Sequence, residues 1–207
     1  MLGPIEACRA GERLALGGPR QRAVLGCLLL DPDRGVSTDR IVDAVWGDSR
    51  PPSVLTSLRA YVFHLRRALE PPGVTGIPAQ VIVTVADGYR LDTTGVTLDA
   101  RRFEEQVTAG RTAIAADPTT AADLLRRGLA MWRGDVLSDV YLANDVVAPV
   151  AARLTELRLT ALELWVEARL ALDDHGLLED LVPLVAQHPL REHLTSLLMV
   201  ALYRAGR

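Results

Sequence analysis

Residues 53–70 read SVLTSLRAYVFHLRRALE. Leu55, Leu58, Val62, Leu65 and Leu69 recur at intervals of 3, 4, 3 and 4, the spacing that lines one face of a helix with apolar side chains. With that stripe turned inward, helical geometry sends Ser53, Thr56, Ala60, Phe63, His64 and Arg67 outward. Arg59 and Arg66 then follow one edge and Ser57 the other. This outer set holds hydroxyls, guanidinium groups and an imidazole, all able to bond phosphates or base edges. An α-helix fits the DNA major groove, where arginine reads guanine through two parallel bonds. Phe63 is the odd member: it suits either a thymine methyl in the groove or a neighbouring loop. A polar helix face is more often merely solvated, so the flanking elements decide between the two readings.

On the N-terminal side, GDSRPPS (47–53) breaks the chain, and a second helix is expected from about Thr38 to Trp46, capped by STD (37–39). Before it, PRQRAVLGCLLL (19–30) reads as a helix opened by Pro19 and stopped by DPDRG (31–35). Residues 1–17 show short apolar stretches around the turn signal RAGE (9–12), the pattern of a small β-ribbon. On the C-terminal side, PPGVTG (71–76) ends the helix and QVIVTVADGYRLD (80–92) reads as a hairpin. Asp87-Gly88 is its expected central pair, because both turn positions must accept positive φ. Three helices followed by a hairpin is the winged-helix arrangement. Beyond Leu98, helices are expected near 99–116, 119–132, 148–174, 177–187 and 190–205, with His175 at a helix end where a cation suits the dipole. LALDDHG (170–176) recurs as VALYRAG (200–206), an offset of 30 residues, close to the ~34-residue period of tetratricopeptide repeats.

The chain has 207 residues and a formal charge of −3, so composition alone does not argue for nucleic acid. Distribution says more. Residues 1–92 carry 11 arginines against 10 acids, residues 93–207 carry 12 against 16, and Ser49 to Leu69 hold four arginines and no acid. That window is the kind of patch phosphates prefer. No apolar run reaches the ~18 residues that span a bilayer, and MLGPIEACRAGE is no secretory signal, so the expected location is the cytoplasm without membrane attachment. Cys8 and Cys27 make no disulfide framework, and Cys27 inside AVLGCLLL reads as a small core residue. Gly17-Gly18 is a turn and not a phosphate loop. His188 and His193 lack the spacing of zinc ligands on one helix, and no nucleophile motif is present. Trp46, Trp132 and Trp165 suit helix cores. No enzyme activity, cofactor or metal is expected.

The phrases LGP (2–4), PRQRAVLGCLLL, VDAVWGDSRPPS (42–53), LRAYVFHLRRAL (58–69) and DGYRLD (87–92) together resemble the Streptomyces antibiotic regulatory protein (SARP) family. The second half continues the resemblance with DARRFEE (99–105), LLRRGLAMWRGDVLSDV (124–140), ARLTELRLTALE (152–163) and HPLREHLTSLLMVALYRAGR (188–207). The resemblance implies a mainly α protein with small β-ribbons. An OmpR/PhoB-type winged helix-turn-helix would occupy residues 1–93, and an all-α, tetratricopeptide-like bacterial transcriptional activation domain residues 97–207.

It further implies an activator that binds double-stranded promoter DNA at direct repeats as a side-by-side homodimer. Such an activator serves a secondary-metabolite gene cluster and recruits RNA polymerase through its sigma factor. The DNA-binding residues are then Ser53, Thr56, Ser57, Arg59, Phe63, His64, Arg66 and Arg67, with Tyr89 and Arg90 in the wing. Asp48 and Arg50, in the loop 47–53, are the polymerase contacts, unless that loop is only a proline-stiffened connection. Residues up to about Asp92 are expected to choose the DNA site by themselves. Several positions depart from the family pattern. Phe63-His64 stands where a Ser-Arg pair is common, Val85 and Asp87 replace an arginine and a proline, and the chain resembles a version shortened at both ends. The altered wing motivates an alternative: an interaction module that keeps the winged-helix fold without strong DNA binding.

Overall fold

The computed structural model describes residues 1–70, 80–143, 145–174 and 176–206; the PPGVTG breaker and His175 lie outside the described residues. Among those described, β1 (Cys8–Arg9) and β2 (Glu12–Arg13) precede α1 (Pro19–Leu30), β3 (Gly35–Ser37), α2 (Thr38–Trp46) and α3 (Val54–Leu69). Strands β4 (Ile82–Val85) and β5 (Gly88–Leu91) follow, then α4 (Asp99–Ala113), α5 (Pro118–Leu129), α6 (Ala148–Ala171), α7 (Leu177–Gln187) and α8 (Glu192–Arg204). The fold is mainly α, a winged helix followed by a tetratricopeptide-like helical domain. None of these helices is long and apolar enough to cross a membrane.

Local chemistry explains the element starts. Pro19 opens α1, where its missing N–H costs nothing. The Ser37 hydroxyl caps α2 by accepting the Arg40 N–H at 3.3 Å, and the Asp117 carboxylate caps α5 by accepting the Thr120 N–H at 3.0 Å. Helix α1 buries every residue from Ala23 to Leu29. Cys27 is among them, and burial pushes its thiol up to about 12, as expected of an inert core residue. In α3 the inner stripe is narrower than the spacing implies. Leu58, Val62 and Leu65 are buried, but Leu55 is 46% exposed. It sits in the first turn of α3.

The hairpin differs from expectation in a more informative way. Its turn residues are Ala86 and Asp87, neither at positive φ, and Gly88 opens β5. The sequence reading did not include β3, which pairs antiparallel with β5 in the order β3-β5-β4 and sets Ser37 opposite Gly88. A Cβ at position 88 would lie 2.0 Å from the Val36 carbonyl oxygen and 2.8 Å from Ser37 Cα. Gly88 is therefore demanded by the close approach of a neighbouring strand, not by turn geometry.

Two compact units emerge, and neither is continuous in sequence: Met1–Asp99 with Arg133–Leu154, and Ala100–Trp132 with Thr155–Arg207. The first unit thus takes in residues that the sequence reading gave to the second half. The Arg133 N–H donates to the Leu2 carbonyl at 2.7 Å and the Leu137 N–H to the Met1 carbonyl at 3.0 Å, with Val136 and Leu137 buried. Residues before Asp92 do not complete this core alone.

In the second unit, a Cβ at Gly110 of α4 would meet Leu125 of α5 at 2.6 Å, so these two helices pack through a glycine. Val166, Leu170, Leu177, Leu181, Leu194, Leu197 and Ala201 form the core beneath α6–α8. Arg204 reaches the Leu170 carbonyl at 2.6 Å, joining the two stretches that recur at 30-residue offset. On α8, Met199 and Tyr203 are 67% and 84% exposed.

The Gly88 contact gives a direct test. Gly88→Ala should destabilise the first unit by at least ~1–3 kcal/mol through overpacking against backbone, read as a lower melting temperature by circular dichroism. An unchanged melting temperature would mean that β3 does not lie across Gly88.

Candidate nucleic-acid interface

Helix α3 contains no acidic residue. Its inner face is committed to the core through Leu58, Val62 and Leu65, which fixes the outer face. Ser53, Thr56, Arg59, Ala60, Phe63, His64 and Arg67 are all exposed, on the side the sequence periodicity assigned them, while Ser57 is half-buried at the edge. Phe63, 56% exposed, meets the His64 ring edge-on at 5.5 Å and lies 5.9 Å from the Arg67 guanidinium. The aromatic thus props a cation and an imidazole on the open face. Arg59 and Arg67 have no carboxylate partner among the described residues, which leaves both charges available to an anionic ligand.

Three further expected contacts, Arg66, Arg90 and Arg50, are engaged within the protein. Arg66 donates from Nε to the Ile82 carbonyl at 2.7 Å and from its terminal nitrogen to Thr84 Oγ1 at 2.8 Å. Its guanidinium also lies 5.8 Å from the Tyr89 ring centre. It ties the wing to α3. Arg90 bonds Asp92 at 3.1 Å, and the carboxyl of Asp92 is held below the usual range, first by the Thr94 backbone N–H and side chain and less by Arg90. Arg50 turns back onto α2, reaching Asp43 at 2.6 Å and the Gly47 carbonyl at 3.0 Å. Asp48 stays exposed. Of the charged residues expected to meet a partner, Arg59, Arg67 and Asp48 are the ones left open.

Sequence reasoning missed two contributors. Arg9, from the ribbon, donates to the Leu69 carbonyl at 2.7 Å and the Ala68 carbonyl at 3.3 Å, capping the last turn of α3. Gln21, in the first turn of α1, joins Leu14, Ala15 and Gly17 with His64, Arg67 and Ala68 around a shallow open depression. No pattern in the sequence links these residues; only the fold brings the α1 N-terminus to the end of α3. Trp46, expected in a helix core, is buried there and stacks on Tyr61 at 6.1 Å. Trp132 packs edge-on to Phe103 at 5.5 Å, and Arg169 lies 4.6 Å from the Trp165 ring centre.

The family model described as "Transcriptional regulatory protein, C terminal" matches residues 11–91, and "Bacterial transcriptional activator domain" matches residues 98–207. The chain belongs to the Streptomyces antibiotic regulatory protein family. Its relatives are named as regulatory proteins and transcriptional regulators. Over 210 residues it is 39% identical to regulatory protein AfsR of Streptomyces coelicolor, matching all of this chain and 20% of that protein. It is 35% identical to transcriptional regulator RedD of the same organism, covering 59% of its length, and 34% identical to regulatory protein DnrI of Streptomyces peucetius, covering 78%. The solved structure of Mycobacterium tuberculosis EmbR in complex with a low-affinity phosphopeptide superposes on the whole chain with a TM-score of 0.88. Sequence identity there is 34%, and 54% of the EmbR chain is covered. This chain therefore spans between a fifth and about four-fifths of these relatives.

The bonds of Arg66 yield a prediction that separates two roles. Arg66→Met should loosen the wing, lowering stability by ~1–2 kcal/mol for the lost hydrogen bonds and speeding amide exchange at Ile82–Val85. Weaker DNA binding with unchanged melting and exchange would instead assign Arg66 to the nucleic acid.

Proposed function

We propose that the chain is a sequence-specific, double-stranded-DNA-binding activator that acts in the cytoplasm, with α3 in the major groove. The observation that carries this reading is the outer face of α3: exposed hydroxyls, Phe63, His64 and two arginines without carboxylate partners among the described residues, on a helix free of acids. Arg59, exposed on that face, is the residue we assign to a base-edge bond. Arg67, beside the depression at the start of α1, suits a backbone phosphate. Thr56 and Ser57 supply shorter polar contacts. In the wing, Tyr89 and Arg90 are secondary contacts, since Arg90 gives up Asp92 only at a cost.

The finer features rest on family membership. They are direct-repeat promoters, side-by-side homodimers on DNA, a secondary-metabolite gene cluster as target, and recruitment of RNA polymerase through its sigma factor. Exposed Asp48 is the better of the two residues for the polymerase contact, because Arg50 is already paired with Asp43. The alternative, an interaction module with little DNA affinity, draws support from exposed Asp87 at the wing tip, which would repel phosphate, and from the engagement of Arg66 and Arg90.

Binding titrations at several salt concentrations decide between these readings. Arg59→Ala should cost ~1–3 kcal/mol and relax preference at one base pair. Arg67→Ala should weaken all sequences alike and flatten the salt dependence by about one ion. Neither should change the melting temperature, as neither side chain enters the core. Unchanged affinity in both variants would remove α3 as the reading helix and favour the interaction module.

A further inference from the structure

The segment Arg133–Ala143 lies within the match to the activator-domain model, yet among the described residues its bonds to other segments, apart from the Arg133–Asp99 ion pair, are to residues 1–44. Asp139 is its principal tie. Its carboxylate accepts the Ile5 N–H at 2.7 Å and Arg22 Nε at 2.8 Å, and is also bonded by the Arg22 terminal nitrogen. That same arginine donates to the Ile5 carbonyl at 2.5 Å, so one ion pair joins α1, the N-terminal segment and the strap. Next to it, Val140 sits so close to α1 that a Cβ at Gly26 would fall 2.8 Å from its Cγ1. Leu137 is held in the left-handed region (φ +52) while buried to 2% exposure. A leucine tolerates that backbone only where its surroundings impose it.

The strap ends on the element that leads into α3. The last carbonyls of a helix lack partners within it; the Ala44 carbonyl, in the final turn of α2, accepts the Ala143 N–H at 2.6 Å. Ala143 also stands 3.2 Å from where a Cβ of Gly47 would be, and Gly47 opens the loop 47–53 in a conformation (φ +53) open to glycine. Loop residues Gly47 to Ser53 connect α2 to α3 and carry Asp48. Their starting point is thus fixed from outside the winged-helix sequence.

We propose that the strap Arg133–Ala143 is a positioning element for the α2–α3 loop, with Asp139 the residue that holds it in place. A sequence segment assigned to activation thereby sets how firmly the DNA-reading helix is presented. This rests on the DNA-binding reading above only for its consequence, not for its geometry.

Two variants release the strap in the 207-residue chain and one locks it. Asp139→Ala removes its bonds to Ile5 and Arg22, and Gly26→Leu displaces Val140. In a Cys8→Ser background, Gly26→Cys with Val140→Cys should form a disulfide, since the 2.8 Å from Cβ to the facing γ atom is near the about 3 Å that such a bond requires. Released variants should show amide exchange at Trp46–Arg50 faster by about tenfold, with α4 and α5 unchanged. Promoter affinity should fall by about fivefold. Adding the oxidised lock to Asp139→Ala should return both to within about twofold of the parent, and reduction should undo the recovery. Unchanged exchange at Trp46–Arg50 overturns the proposal. So does an increase spread equally over α4 and α5, or a loss that the lock does not restore. If the parent chain itself fails to bind promoter DNA, the DNA reading falls, while the exchange comparison still decides the role of the strap.

Discussion

The roll of α3 about its axis is set by three side chains. Leu58, Val62 and Leu65 enter the core, and burying each is worth ~1.5–3 kcal/mol relative to exposure. Turning the helix by a quarter revolution one way would expose them and bury Arg59 without a partner, a much larger penalty, and a half revolution would do the same to Arg67. Everything on the outer face follows from that choice. Capping by Arg9 at the end of α3 and the Arg66 bonds to β4 then fix the helix lengthwise and tie it to the wing.

With no lysine in the chain, arginine supplies both structural ties and any contact with an anion. The planar guanidinium suits the first task because it bonds several oxygens at defined angles. Arg9, Arg22, Arg66 and Arg90 are all used in this way within the first unit, each against a carbonyl, hydroxyl or carboxylate. A count of positive residues therefore overstates the charge offered to DNA. The useful quantity is the set on α3 without a carboxylate partner among the described residues, Arg59 and Arg67, and their effect is local because the whole chain is slightly acidic.

The first unit draws its last pieces from far along the chain. Val136 and Leu137 are buried in it, and the strap supplies an acceptor for Arg22 and a donor for Ala44. The two family-model matches meet near residues 91–98, whereas compactness returns residues 133–154 to the first unit. Division by motif and division by packing answer different questions. Motifs follow contiguous sequence; a hydrophobic core takes whatever apolar surface the topology delivers to it.

Much of this was legible before any coordinates. Pro19 and the DPDRG stop located α1, the STD cap and the GDSRPPS break located α2, and periodicity located α3 and its outer face; the two stretches of the 30-residue recurrence meet through Arg204 and Leu170. These properties depend on residues a few positions apart, where the helical repeat makes neighbours predictable. Tertiary structure alone decided which of the candidate residues stay open. Nothing local to Arg66 or Arg50 indicates that a strand carbonyl or Asp43 will claim it. The three-residue strand β3 is too short for alternation to register, so the reason for Gly88 was hidden with it. The strap was hidden for the same cause: Asp139 and Arg22 stand 117 positions apart, and only folding makes them neighbours.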